Sequence, residues 1–321
     1  MDTTQTKKIQ AQIRSAVDNV YDIQKLRIAS GNRLTQVFLQ AMGIEPGHKK
    51  EEADEEVEGI LKSVSAEYVG ITKCFAEDFE NKGKITKAID KLGNHLNFIT
   101  DDALYRLTNI YMNQVALESE AVKVVKYYVE QHPMWEEFFS KVKGCGPLMT
   151  GVCLGYFDPY KARHVSSFWK YAGLDVVYEE KEGKEGAYVG RAMRHTEMRD
   201  YVAKDGTTKE KRSLTYNPFV KTKLMGVLAS GFIKCPGSTY DLVYRGYRHR
   251  LDNSPKYAEY TAGHKNTMAL RYAVKQFLRD MWTTWRTLEG LEVTAPYEEA
   301  YLGRKPHGYN DGDKTQCFQA E

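Results

Sequence analysis

Apolar side chains recur at helical spacing through the first 130 residues. Ile9, Ile13, Val17, Val20 and Ile23 fall near a 3.6-residue period, so residues 5–43 read as a helix. Leu26 and Ile28 flank the stripe, and Ser30-Gly31-Asn32 is expected to break or bend the helix before Leu34–Met42. The polar stretch Gly43–Glu56 reads as a linker and the acidic start of a second helix, Val57–Phe79. Asn81-Lys82-Gly83 is an expected turn and Ile85–Ile99 a third helix. Thr100-Asp101-Asp102 is placed to cap a fourth helix, which runs to about Glu130 before His132-Pro133. Residues 1–130 are therefore expected to form an all-α region of long antiparallel helices, bundled or coiled-coil-like.

The texture changes at Met134. A short helix, Trp135–Val142, leads through Gly144-Cys145-Gly146-Pro147 into a second, Leu148–Tyr156, ended by Phe157-Asp158-Pro159. Ser166–Ala172 reads as one or two helical turns closed by Gly173. Val176–Tyr216 alternates and is β-rich, and Tyr201–Ala203 and Ser213–Tyr216 are expected to pair across Asp205-Gly206. Helices resume at Pro218–Phe232, Ser238–Arg250 and Pro255–Thr287, the last with Trp282 and Trp285 on a buried face. The expected fold class is mainly α. A helical N-terminal region (1–130) precedes a helix-hairpin-helix α domain (131–290) with a small β-hairpin insertion near 176–216, and a polar tail (291–321) follows.

Composition adds three points. A hydrophobic content of 42% supports real cores, and no apolar run approaches the ~18 residues of a membrane span. The opening MDTTQTKKIQ has no signal-peptide core, so a cytoplasmic protein without a membrane partner is expected. The five cysteines, Cys74, Cys145, Cys153, Cys235 and Cys317, include no CxxC pair, and reduced thiols rather than a zinc site or disulfides are expected. Net charge is +3, but Gly190–Arg286 holds 19 Lys and Arg against 8 Asp and Glu. That segment is +11 and the remainder −8, an asymmetry that suits a polyanionic partner.

The turn Lys143-Gly144-Cys145-Gly146 between two helices suits a phosphate. Glycines let a ligand approach the main chain, Pro147 fits the first helical position, and the free N–H groups of the turn and helix start point outward. Such a contact is blind to base sequence. The run Tyr244–Arg250 (YRGYRHR) adds a basic-aromatic stripe, with the tyrosines inward and Arg245, Arg248 and Arg250 available to phosphate. Lys211, Arg212, Lys221 and Lys223 complete the expected contact set. His195 and Glu197, two apart and so on one face of a strand, and Ser213 beside Lys211 and Arg212 offer weaker catalytic readings, for which a solvated charged strand is the plainer account.

Phe139–Leu154 (FSKVKGCGPLMTGVCL), then Ser167–Leu174 (SFWKYAGL), then Asn217–Leu224 and Ala262–Lys265 together resemble the C-terminal domain of insertion-sequence transposases of the 110/116/902 class, which are bridge-RNA-guided recombinases. The resemblance covers roughly residues 135–285. It implies a helix-hairpin-helix DNA-binding fold of mobile-element or phage origin. The family's N-terminal RuvC-like metal centre has no counterpart in residues 1–130. The family's serine nucleophile follows the "AGL" segment, where Asp175–Gly183 offers no serine and, as a hydroxyl, only Tyr178. The expectation is a nucleic-acid binder, with DNA favoured over RNA, no assigned catalytic residue, no metal and no cofactor. The N-terminal helices are the expected route to a homo-oligomer. An active recombinase or nuclease with a rearranged site, and a helical interaction scaffold, are the alternatives.

Overall fold

Helix α1 runs unbroken from Thr3 to Ala41 in the computed structural model, which describes residues 3–41, 50–77, 85–181, 184–190 and 195–295. Within these ranges, side chains are described for 6–40, 59–74, 85–176 and 195–295. The expected turn at Asn81-Lys82-Gly83, residues 43–49 of the linker and most of the tail lie outside the described residues. The break expected at Ser30-Gly31-Asn32 does not occur. Gly31 is buried under Tyr111, whose Cε2 would stand 3.0 Å from a Cβ there, so this glycine serves ring packing inside a continuous helix.

The chain divides into two compact units, Ala16–Val124 and Met1–Ser15 with Val125–Glu321. The division falls within two continuous helices, whereas sequence suggested a border at 130. The smaller unit contains most of α1, α2 (Lys50–Glu77), α3 (Ile85–Leu92) and most of α4 (Asp102–Glu130). Its core gathers Leu34, Phe38, Val64, Ile71, Ile99 and Tyr111. The third helix ends at Leu92, earlier than expected. A 3-10 turn, Gly93–His95, begins at Gly93 with φ +43°, and the chain then straightens at Leu96. The straight segment is held by a long-range acceptor. The Glu67 carboxylate receives N–H bonds from Asn97 (2.7 Å), Phe98 (3.0 Å) and Ile99 (2.9 Å), which replace the helical bonds. Asp101 then caps α4 by accepting from the Leu104 N–H at 2.9 Å, as its position predicts. Arg27 and Gln24 both bond Glu118, and the Glu118 hydrogen bond raises the Arg27 pKa.

In the larger unit, short elements lead to two long helices. They are α5 (Pro133–Glu137), a 3-10 turn (Phe139–Lys141), α6 (Pro147–Tyr156), α7 (Val165–Tyr171), α8 (Pro218–Thr222), α9 (Ala229–Ile233), α10 (Thr239–Asn253) and α11 (Ala262–Leu288). A π turn, Lys223–Leu228, joins α8 to α9 without a break. The fold class expected from sequence holds: mainly α, with a small β insertion. Phe138, Phe139, Phe232, Tyr240 and Phe277 meet ring to ring in the core. Trp282 and Trp285 are buried as expected. The Trp282 indole donates to Ala162 O at 2.8 Å, and Arg286 donates to the carbonyls of Pro159 and Ala162. These bonds tie the loop after α6 to α11.

The insertion is two hairpins rather than one. β1 (Val176–Lys181) pairs antiparallel with β2 (Lys184–Gly190), and β3 (Thr196–Val202) with β4 (Thr208–Leu214). The second turns at Asp205-Gly206, as expected, with Gly206 at φ +81°. Its register differs from expectation, since Tyr201 faces Lys209 and Ser213 faces Glu197. Asp205 shortens the turn by accepting from the Thr207 N–H and hydroxyl, which fixes pairing from Thr208 onward.

Candidate nucleic-acid interface

The Val142–Pro147 turn is built from main-chain contacts. The Cys145 N–H donates to Val142 O at 3.2 Å, and Gly144 sits at φ +89°. A Cβ on Gly144 would lie 2.5 Å from Gly231 O, and one on Gly231 would lie 2.4 Å from Gly144 O. Two glycines thus let the turn meet α9 backbone to backbone. Gly144 answers to packing, and its bare side faces α9 rather than a ligand. Cys145 leaves the expected contact set as well. Its N–H is spent in the turn, and its thiol is buried 3.8 Å from the Thr150 hydroxyl, with burial pushing its pKa to about 12. Gly146 is exposed, has open space where a Cβ would stand, and precedes Pro147 at the first position of α6. The first-turn N–H groups of Leu148 and Met149 have no helical acceptor. Lys143, in the turn before them, is exposed. The contact set expected for the hairpin therefore narrows to Lys143, Gly146 and the start of α6.

Asn217 caps α8 by accepting from the Val220 N–H at 3.2 Å, with Pro218 at the first helical position. The cap sets Lys221 over the Tyr216 ring, 4.6 Å from its centroid, and Lys223 over Phe219 at 5.6 Å. Phe219 lies 4.9 Å from Tyr156, and Arg14 from α1 lies over Tyr156 at 4.6 Å. The result is a cation, two rings and a second cation in series, held by cation–π attraction. Gly155 allows this, because a Cβ there would stand 3.0 Å from Arg14 Cα. Arg14, Tyr156 and Phe219 have no sequence signal, since they join only through tertiary contact.

Helix α10 carries a groove lined by two arginines. Tyr240, Tyr244 and Tyr247 turn toward α11, where Tyr247 stacks on Tyr272 at 4.2 Å and Tyr244 donates to Asn266 at 2.6 Å. Tyr244, Arg245, Arg248, His249 and Asp252 line an open groove of about 610 Å³. Asp241 is wholly buried and accepts from the Gly237 N–H and from Arg245 Nε, while the Arg245 side chain stays 54% exposed. The bond from buried Asp241 raises the Arg245 pKa. Arg248 donates Nε to Asp252 at 2.9 Å and Nη1 to Ala262 O at 3.1 Å. The Arg248 bond, with Lys265 nearby at 3.5 Å, holds Asp252 below the usual carboxylate range. Each arginine is therefore oriented through its Nε, with remaining guanidinium donors available at the groove. Arg250 is exposed on the same helix but does not line the groove.

Lys211 and Arg212 lie exposed on β4. In the two weaker catalytic readings, His195 with Glu197 and Ser213 beside Lys211 and Arg212, the imidazole and the serine hydroxyl are engaged with other partners. His195 Nδ1 meets the Thr215 hydroxyl at 2.9 Å, and Ser213 donates to Lys211 O at 3.4 Å. Tyr178 lies on β1, and its side chain is outside the described residues. Among the described residues no three His, Cys, Asp or Glu side chains converge as metal ligands, and no helix is long and apolar enough to cross a membrane. No protein-family model matches the chain, and no characterised protein or solved structure matches it.

Proposed function

We propose that this protein binds nucleic acid, duplex DNA first of all, through its phosphate backbone, with the α10 groove as the main contact. The observation that carries the reading is the pair of oriented guanidiniums, Arg245 held by buried Asp241 and Arg248 held by Asp252. A fixed, partly exposed guanidinium matches a phosphate in two-point geometry and loses little entropy on binding. The basic balance of Gly190–Arg286 supplies the wider field. Lys143 with the start of α6, and the Arg14–Lys223 series, offer further phosphate contacts. Arg245→Ala with Arg248→Ala should weaken binding of any short duplex about 10-fold or more, evenly across sequences. The same pair should flatten the salt slope by about 1 per lost contact. Unchanged affinity and slope, with the fold intact by circular dichroism, would remove the groove from the interface.

A second reading, a helical interaction surface, is favoured by α4. Ile110, Leu117 and Val124 are exposed at seven-residue steps, with Leu107 three residues before them, whereas Gln114 is half-buried and Ala121 buried. One apolar heptad position repeated in this way is one line of a left-handed coiled-coil seam. Sedimentation should show a dimer that Ile110→Asp with Leu117→Asp converts to monomer. A wild-type monomer at tens of micromolar would exclude self-association through this seam.

A further inference from the structure

We propose that the β3–β4 hairpin is an arm that holds an unpaired nucleotide strand on one of its two faces. This rests on the nucleic-acid reading above, but on different residues. The hairpin is a two-stranded sheet on its own, exposed along nearly its whole length on both faces. Such a ribbon gains no core, so its cross-strand pairs decide its stability. Two adjacent pairs work against it. Arg199 lies directly opposite Lys211, and Asp200 directly opposite Glu210. Like charges facing one another across strands destabilise a hairpin, and none of these four makes an ion pair among the described residues.

The alternation of a strand puts the two pairs on opposite faces. One face presents Glu197 and Ser213, Arg199 and Lys211, then Tyr201 and Lys209, three cations against one acid, with Tyr201 44% exposed. The other presents Met198 and Arg212, Asp200 and Glu210, then Val202 and Thr208, two acids against one cation, so its balance repels a polyanion. The arm is therefore charge-sided, and an anion between Arg199 and Lys211 would relieve the repulsion within it. Tyr201 stands next to that anion position on the same face. A cation pair followed by an exposed ring matches a phosphate followed by an unstacked base, and a paired base would not offer its face. Neither the cations nor the ring touches the sugar, so DNA and RNA strands should bind within a few-fold of one another.

Fluorescence anisotropy of labelled single-stranded DNA, RNA of the same sequence, and the matching duplex tests this on the full chain. Tyr201→Ala should weaken single-strand binding about 5- to 100-fold, the range for loss of one stacked base, and leave duplex binding within about twofold. Lys211→Glu places an opposite charge across from Arg199. It should slow hydrogen exchange of the arm amides several-fold while weakening single-strand binding, a trade that a purely structural arm would not show. If wild type binds but both variants bind single strands equally well, the arm assignment fails and the α10 reading stands. If wild type binds none of the three probes, both fail. A large preference for RNA or DNA would overturn the contact scheme.

Discussion

Gly144→Ala is expected to destabilise the larger unit by about 2–5 kcal/mol, from a left-handed backbone penalty and an overpacked contact. At φ +89° an alanine is strained whatever the space, and here its Cβ would also stand 2.5 Å from a main-chain oxygen, which has no rotamer by which to yield. Gly231→Ala should cost a similar packing amount without the φ penalty. The double variant should cost less than the sum, because both methyls open the same contact. Gly146→Ala meets open space at φ −75° and should stay within about 1 kcal/mol of wild type. All four tryptophans, Trp135, Trp169, Trp282 and Trp285, lie in the larger unit, so tryptophan fluorescence in urea reads its stability directly. A Gly144→Ala midpoint equal to wild type would show that the turn and α9 do not meet as described. Gly146, not Gly144, is therefore the position at which a bulky residue tests phosphate contact without testing the fold.

Acid should weaken the same unit through His132. Its ring is buried edge-on to Trp285, and burial lowers its pKa from 6.5 to about 4. Nδ1 accepts from the Met134 N–H at 3.2 Å and caps α5, so the neutral ring carries its proton on Nε2. A second proton would turn the cap acceptor into a donor facing another donor. The folded state thus stays neutral where the unfolded chain already binds a proton. The stability is fully present above pH 6.5 and is lost as pH falls toward about 4. At ~1.4 kcal/mol per unit the loss is about 3 kcal/mol. His132→Asn keeps a good cap and removes the titration. It should be less stable near neutrality, where the ring packing is missed, and should show a flatter urea-midpoint profile through that window. Equal slopes in the two proteins would mean that other groups account for the acid loss.

Much of the secondary structure is legible in the sequence because its causes are local. Asp101 and Asn217 cap helices through bonds that span three residues, and Asp205-Gly206 turns β3 into β4 within four. The apolar period that marks Trp282 and Trp285 as core needs only the pitch of a helix. The misreadings arise where a distant group overrides a local signal. Gly31 looks like a break until Tyr111 lies over it, and Leu96–Ile99 looks helical until Glu67 takes its N–H groups. The candidate interface divides in the same way. Lys143, Gly146 and the arginines of α10 can be nominated by residue type and spacing. Sequence alone does not show that Asp241 is buried beneath Arg245, that Arg14 meets Tyr156, or that Arg199 faces Lys211. Those facts depend on register and on packing between segments far apart in the chain, which only the closed tertiary structure sets.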